Sequence, residues 1–182
     1  MAEASIIIAG YDPSWPREFA EIGAKLRGAL GATALRIDHV GSTSVPGLDA
    51  KSIIDIQVSV LRLEPPDSYF VPLESLGYRF HASNPDLTKR FFREPPGTRR
   101  AHIHVRRSGS FDGALDLLFR DFLRSHPDAS QEYAQAKYDL AARFQDDREG
   151  YVLAKGPAVW SILRRAHDWA QASGWSPGEA DA

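Results

Sequence analysis

The 182-residue chain contains no cysteine, a single methionine and no apolar run long enough to span a bilayer. The missing cysteines exclude disulfides, thiolate metal sites and a cysteine nucleophile. The first ten residues, MAEASIIIAG, carry no basic leader and only three consecutive isoleucines, so they do not read as a secretion signal. The expected compartment is the cytoplasm. Strong charge of one sign is absent too: a formal net charge of -2 gives the molecule as a whole no attraction for nucleic acid or an anionic membrane. Internal repeats and low-complexity segments are lacking. What is there, 43% apolar and 25% charged residues over this length, suits one soluble domain with a sizeable core rather than two. That domain is expected over residues 1–172, followed by a Gly-, Pro- and acid-containing stretch, 173–182, expected to fray.

Periodicity orders the chain. Ser14 and Pro16 mark a helix start, and Phe19, Ile22, Leu26 and Leu30 fall at helical spacing, predicting an amphipathic helix over 15–30 ended by Gly31. Residues 33–40 read as a strand that stops at Gly41. In 52–61, Ile54, Ile56, Val58 and Val60 alternate with Asp55, Gln57 and Ser59, predicting a strand with one apolar and one polar face. Short helical and strand segments are expected over 65–76 and 78–81, then a strand pair over 89–93 and 101–107 joined by the loop 94–100. From Ser110 the period becomes helical. Leu115, Leu118, Phe119, Phe122 and Leu123 form a stripe. A second helix starts at Pro127 with Tyr133, Leu140 and Phe144 inward, and a third carries Val159, Ile162, Leu163, Ala166 and Trp169. The order implies an α+β domain: a small mixed sheet with helices packed on it and a helical C-terminal half. Tyr11, Trp15, Phe119, Phe122 and Trp160 are expected to fill cores.

The chemistry concentrates at 41–55, GSTSVPGLDAKSIID. Glycine directly after a strand allows a sharp turn and close approach of backbone to a ligand. The hydroxyls and amides of Ser42 and Thr43 then offer phosphate contacts. Asp55 lies in a strand of isoleucine and valine, where a carboxylate is costly to bury unless it is paired with an arginine, ligated to a metal or used in catalysis. Lys51 stands four residues earlier and is placed to neutralise phosphate or to pair with Asp55. Between Lys89 and Arg107 lie seven basic residues, among them Arg93, Arg100 and Arg106, with Glu94 the sole acid, so this stretch reads either as a solvated face or as an anion-binding wall. His102 and His104 alternate on a strand and share a face, where two imidazoles serve as metal ligands, phosphate contacts or acid–base groups; their basic neighbours favour an anion. On the following helix Asp121 is expected to pair with Arg124 at i+3 and not with Arg120.

Gly41-Ser42, twelve intervening residues and Asp55 match the pattern of nucleotidyltransferase folds, in which Gly-Ser holds a triphosphate and strand carboxylates hold Mg²⁺. The longer string from His39 to Lys51, followed by Ile53-Ile54-Asp55-Ile56, resembles the signature of the GrpB family. So do His102-Ile-His104-Val, the FRDFLR segment 119–124, the Tyr133/Lys137 spacing and Tyr151 to Lys155. The resemblance covers about Tyr11 to Trp169. It implies a nucleotidyltransferase-like α+β fold and kinship with the domain fused to dephospho-coenzyme A kinase in some bacteria. One departure stands out: where nucleotidyl transfer uses a second strand carboxylate at i+2, this chain has Gln57. The expected function is binding of a nucleotide or other phosphorylated small molecule, with Gly41, Ser42, Thr43, Lys51, Arg93, Arg100 and Arg106 at the phosphate. Mg²⁺ is expected on Asp55, and Asp55, His102 and His104 are the catalytic candidates for group transfer. The alternative is a non-catalytic interaction or chaperone-like module.

Overall fold

The computed structural model describes residues 5–182. Five strands make one mixed sheet in the order β1-β2-β5-β4-β3. They are β1 (Arg36–Val40), β2 (Ile54–Val60), β3 (Arg79–Phe80), β4 (Lys89–Arg93) and β5 (Ala101–Arg107). Only β2 and β5 run parallel; β1/β2, β5/β4 and β4/β3 are antiparallel. Among the described residues five α-helices accompany the sheet: α1 (Trp15–Leu30), α2 (Asp67–Ser75), α3 (Phe111–Ser125), α4 (Pro127–Arg143) and α5 (Arg148–Ser173). The expected α+β fold, with a small mixed sheet followed by a helical half, is what the chain adopts.

Each face of the sheet has its own partner. Ile54, Ile56, Val58 and Val60 point one way together with Ile103 and Val105, and they meet Trp15, Phe19, Leu26 and Leu30 of α1 and Tyr69 and Leu73 of α2 in the main core. Burial of such apolar surface contributes on the order of 25 cal/mol per Å², so this layer is the dominant stabilising term. The other face carries Asp55, Gln57 and Ser59 and, beside them in parallel register, His102, His104 and Arg106. A second apolar cluster joins α3, α4 and α5 through Leu118, Phe122, Leu123, Tyr133, Ile162 and Ala166, and it receives Val45 and Leu48 from the loop after β1. That loop therefore bridges the two halves, and a cleft opens where the polar sheet face looks toward α4 and α5.

Several expectations are corrected. On α3, Leu117 is buried and Leu115 only half-buried, and Trp160 is exposed rather than in the core. Residues 31–33 form a short 3-10 turn ahead of β1. Arg120 does bond Asp121, Nε to Oδ1 at 2.7 Å, because the long guanidinium bends along the helix flank toward β1; the expected i+3 pair of Arg124 with Asp121 is present as well, at 3.9 Å. There Arg120 also meets Asp181 at 2.9 Å and donates to the His39 carbonyl. The segment after Ser173, expected to fray, is packed: the amides of Asp181 and Ala182 bond the Ile37 carbonyl, and Asp181 Oδ2 accepts from the His39 amide at 2.9 Å. Apolar contact of Ala182 with the main core and the Arg27 guanidinium on its carbonyl explain the attachment. Among the described residues no helix is long and apolar enough to cross a membrane.

Candidate functional site

The turn after β1 is built by its glycine. Gly41 has φ 70 and ψ -175, a region open in practice only to glycine. A Cβ there would lie 2.7 Å from Asp55 Oδ2, so the residue is also a spacer that lets the turn sit against the acidic strand. Ser42–Ser44 then form a single 3-10 turn, fixed by Ser44 Oγ on the Gly41 carbonyl at 2.6 Å and by Arg124 Nε on the Ser44 carbonyl at 2.9 Å. Thr43 is buried and its hydroxyl is spent internally: it donates to the Ile53 carbonyl at 3.0 Å and faces His39 Nε2 at 3.0 Å. With its one hydrogen given to Ile53, Thr43 accepts from His39, which assigns the proton of His39 to Nε2. Burial, helped by Arg124, pushes the His39 imidazole down to about 3, so it is neutral. Ser42 is half-buried, and neither its hydroxyl nor the amides of Ser42 and Thr43 have a partner among the described residues.

Beside this turn lies a cavity of about 730 Å³, within the size range of small-molecule sites. Gly41, Ser42, Thr43, Lys51, Asp55, Arg93, His102 and His104 all line it, so most of the sequence-predicted residues come together. Two do not. Arg106 is buried against Asp116 at 3.0 Å and Thr88 Oγ1 at 2.9 Å, with Asp86 and Asp112 nearby, and it holds α3 to the sheet. Arg100 pairs with Glu94 at 3.3 Å and lines a separate depression at the 94–100 loop. Most of the basic stretch is neutralised in this way: Arg90 pairs with Glu64 at 2.5 Å and Arg99 with Glu18 at 2.7 Å. Arg93 alone of the predicted arginines faces the cavity, and it has no carboxylate partner among the described residues.

The basic wall comes instead from the helices. Lys137 of α4 and Arg148 and Lys155 of α5 line the cavity opposite the sheet. Lys137 is buried, and its Nζ donates to the Asp49 carbonyl. Lys51 Nζ sits 4.0 Å from the centre of the Tyr151 ring, and Lys137 Nζ 4.8 Å from that of Tyr133. Aromatic faces hold these cations without cancelling their charge. Burial lowers the Lys137 ammonium to about 7, with Lys155 adding to the effect and Asp49 opposing it. Burial likewise lowers Lys51 to about 8, reinforced by Lys155 and Arg148. Composition hid this wall, since α4 and α5 read as ordinary amphipathic helices; the signal for it was the Tyr133/Lys137 and Tyr151/Lys155 spacing, one helical turn each.

At the cavity floor one oxygen of Asp55 faces two imidazoles, His102 Nδ1 at 3.3 Å and His104 Nε2 at 3.2 Å. Burial works to raise the Asp55 pKa, but the contacts from His102 and His104 outweigh it and hold the carboxyl below the usual range. Phe91 packs against both rings, at 5.0 Å and 5.2 Å. Gln57, the departure at i+2, turns away: its amide nitrogen donates to the Gly113 carbonyl at 3.3 Å, buried under α3, and it does not line the cavity.

Fold and site together define an α+β protein with a glycine turn, an acidic strand and a lysine-lined cleft between sheet and helices. The family profile described as GrpB protein matches residues 5–165, and the chain belongs to the GrpB family. It is 45% identical over 159 residues to a UPF0157 protein of Pseudomonas aeruginosa, covering 85% of this chain and 65% of that one. A dephospho-CoA kinase of Mycolicibacterium paratuberculosis is 34% identical over 97% of this chain but only 50% of its own length. The crystal structure of the GrpB protein from Enterococcus faecalis superposes with a TM-score of 0.82 at 30% identity, covering 91% of this chain and 99% of that one. The chain thus spans between half and two thirds of these two sequence relatives and nearly all of the structural one.

Proposed function

We propose that this chain binds a phosphorylated small molecule, a nucleotide being the leading class, in the cleft between the polar sheet face and α4–α5. The observation that carries the reading is the convergence of Lys51, Lys137, Arg148 and Lys155 on one cavity with no carboxylate partner among the described residues. Desolvating so many cations together is costly, and an anion in their midst offsets that cost. The free amides and hydroxyl of the Ser42 turn supply neutral donors beside them, and Arg93 closes the sheet side. Group transfer of the nucleotidyl type is the reaction class this arrangement suits, with Asp55, His102 and His104 at the floor. Calorimetric titration of the purified chain with pyrophosphate and nucleoside triphosphates tests the binding. Saturable 1:1 binding that weakens in Lys155→Met supports it; no heat at millimolar ligand removes it.

A second reading, a non-catalytic interaction module, is favoured by Gln57, which supplies no second carboxylate, and by the match to half of a dephospho-CoA kinase. It expects folded Asp55→Asn to retain cellular function. Loss of function in that variant argues for chemistry at the cavity floor.

A further inference from the structure

The anion reading leaves the cluster at the cavity floor unexplained. Asp55 Oδ1 lies 3.3 Å from His102 Nδ1 and 3.2 Å from His104 Nε2. As charge-assisted hydrogen bonds these contacts are long, since such bonds run about 2.7–2.9 Å. As edges of one coordination sphere they fit well: two donors each about 2.0–2.1 Å from a tetrahedral ion stand about 3.3 Å apart. The ligand atoms of all three residues lie within 4.8 Å of one another. The scaffold is rigid. Asp55 and His102 are register partners on the parallel β2/β5 pair, and His104 is two residues further along β5 on the same face. Phe91 fixes both rings from β4. His102 is 7% exposed and its Nε2 has no hydrogen-bond partner, so the ring's polar orientation serves Asp55 alone.

The donor set does not suit Mg²⁺, the ion expected from the nucleotidyltransferase-like pattern. Magnesium takes oxygen ligands in near-octahedral geometry. Here there is one carboxylate, and Gln57 is committed to α3. Two imidazoles and one carboxylate are instead a set for zinc, manganese, iron, cobalt or nickel.

We propose that Asp55, His102 and His104 bind one divalent transition-metal ion and leave a coordination position open toward the lysine wall. A dication held by a single carboxylate keeps a net positive charge, so the open position favours an anion. This last step rests on the anion reading above; the three-residue metal site does not. Metal and phosphate then bind cooperatively, each raising the affinity for the other by the same factor.

The test uses the full chain freed of metal with a chelator and titrated with Co²⁺, followed by visible d–d absorption. One equivalent is expected to develop bands of a low-coordinate nitrogen–oxygen site that Zn²⁺ displaces and a large excess of Mg²⁺ does not. His104→Ala and Asp55→Asn are each expected to weaken binding by more than the about 10–100-fold that loss of an outer-shell partner costs. His167→Ala, on the exposed side of α5, is expected to change nothing. Circular dichroism and thermal melts establish folding. If Asp55→Asn fails to fold, His104→Ala carries the test, because its side chain is 18% exposed at the cavity and its removal leaves the core intact. Absent bands, bands unchanged in folded His104→Ala, or displacement by Mg²⁺ overturn the site. Pyrophosphate added to the cobalt form is expected to shift the bands and tighten the metal. Cobalt binding with no pyrophosphate effect rejects the anion reading while the metal site stands. Pyrophosphate binding without cobalt binding does the reverse.

Discussion

Gly41 and Asp55 pack so closely that a methyl group on Gly41 would lie 2.7 Å from Asp55 Oδ2 and 3.0 Å from its Cβ. The contact locks the turn after β1 to the acidic strand at the point where cavity floor and candidate phosphate donors meet. Gly41→Ala therefore meets two obstacles, the steric one and a φ of 70 with ψ of -175 that non-glycine residues avoid at a cost of about 1–3 kcal/mol. The expected result is a lower midpoint in thermal or urea unfolding together with a loss of pyrophosphate affinity. A variant of wild-type stability would show that the turn relaxes freely and does not depend on glycine.

Arg106 and Arg93 should separate stability from binding. Arg106 is buried among Asp116, Asp112 and Asp86, and burial already raises the Asp116 pKa despite Arg106 beside it. Arg106→Ala leaves Asp116 and Asp112 without their cation, while Asp86 keeps Lys89 at 3.3 Å, and is expected to cost about 3 kcal/mol, the low end for a broken buried pair because the acids keep some exposure to water. Arg93→Ala is expected to stay within about 0.5 kcal/mol of wild type while weakening anion binding. Chemical denaturation and calorimetry on the two variants check the contrast; a reversal of the two effects would place Arg106, and not Arg93, at the ligand.

The difference between these arginines also marks what the sequence hides. Alternation revealed the faces within β2 and within β5, because period-two patterning is a local property: it set Asp55 opposite the apolar side of its strand and His102 and His104 on one face of theirs, while the parallel register that brings the two strands together is not local. The 41–55 string likewise displayed its turn and its strand. Which cations stay unpaired is a long-range matter. Arg90, Arg99 and Arg106 find their acids 26, 81 and 10 residues away, and no local pattern announces that. Lys137 and Lys155 face the cleft only because α4 and α5 fold back over the sheet. Trp160 was expected in a core and is exposed, since burial depends on where neighbouring helices end up.

Thr43 and Ser42, adjacent hydroxyls, should behave differently. Thr43→Val removes the donor to the Ile53 carbonyl and the acceptor for His39, stranding two buried groups. A cost of about 1–3 kcal/mol in unfolding free energy is expected. Ser42→Ala touches no internal hydrogen bond among the described residues, so it should leave stability within about 0.5 kcal/mol while reducing pyrophosphate affinity. Equal stability losses in both would mean that the Ser42 hydroxyl, too, is structural.

Stability and anion binding are expected to respond to pH in opposite senses, and the lysines are the reason. Lys137 is lowered from 10.5 to about 7 and Lys51 from 10.5 to about 8, in both cases first by burial. Between those values and 10.5 the unfolded chain holds more protons at these groups than the fold does. Stability therefore gains from them as pH rises through that window, and below about 7 their contribution is a constant penalty. The anion needs the ammonium forms, so its affinity should fall as pH rises from about 7 to 9, and binding near pH 8 should take up protons. Titrations in buffers of different ionisation enthalpy measure that uptake directly. In Lys137→Met the uptake should shrink and the alkaline gain in stability should be reduced. Binding that is flat from pH 7 to 9 in the wild type, with no proton uptake, would remove Lys137 and Lys51 from the anion site.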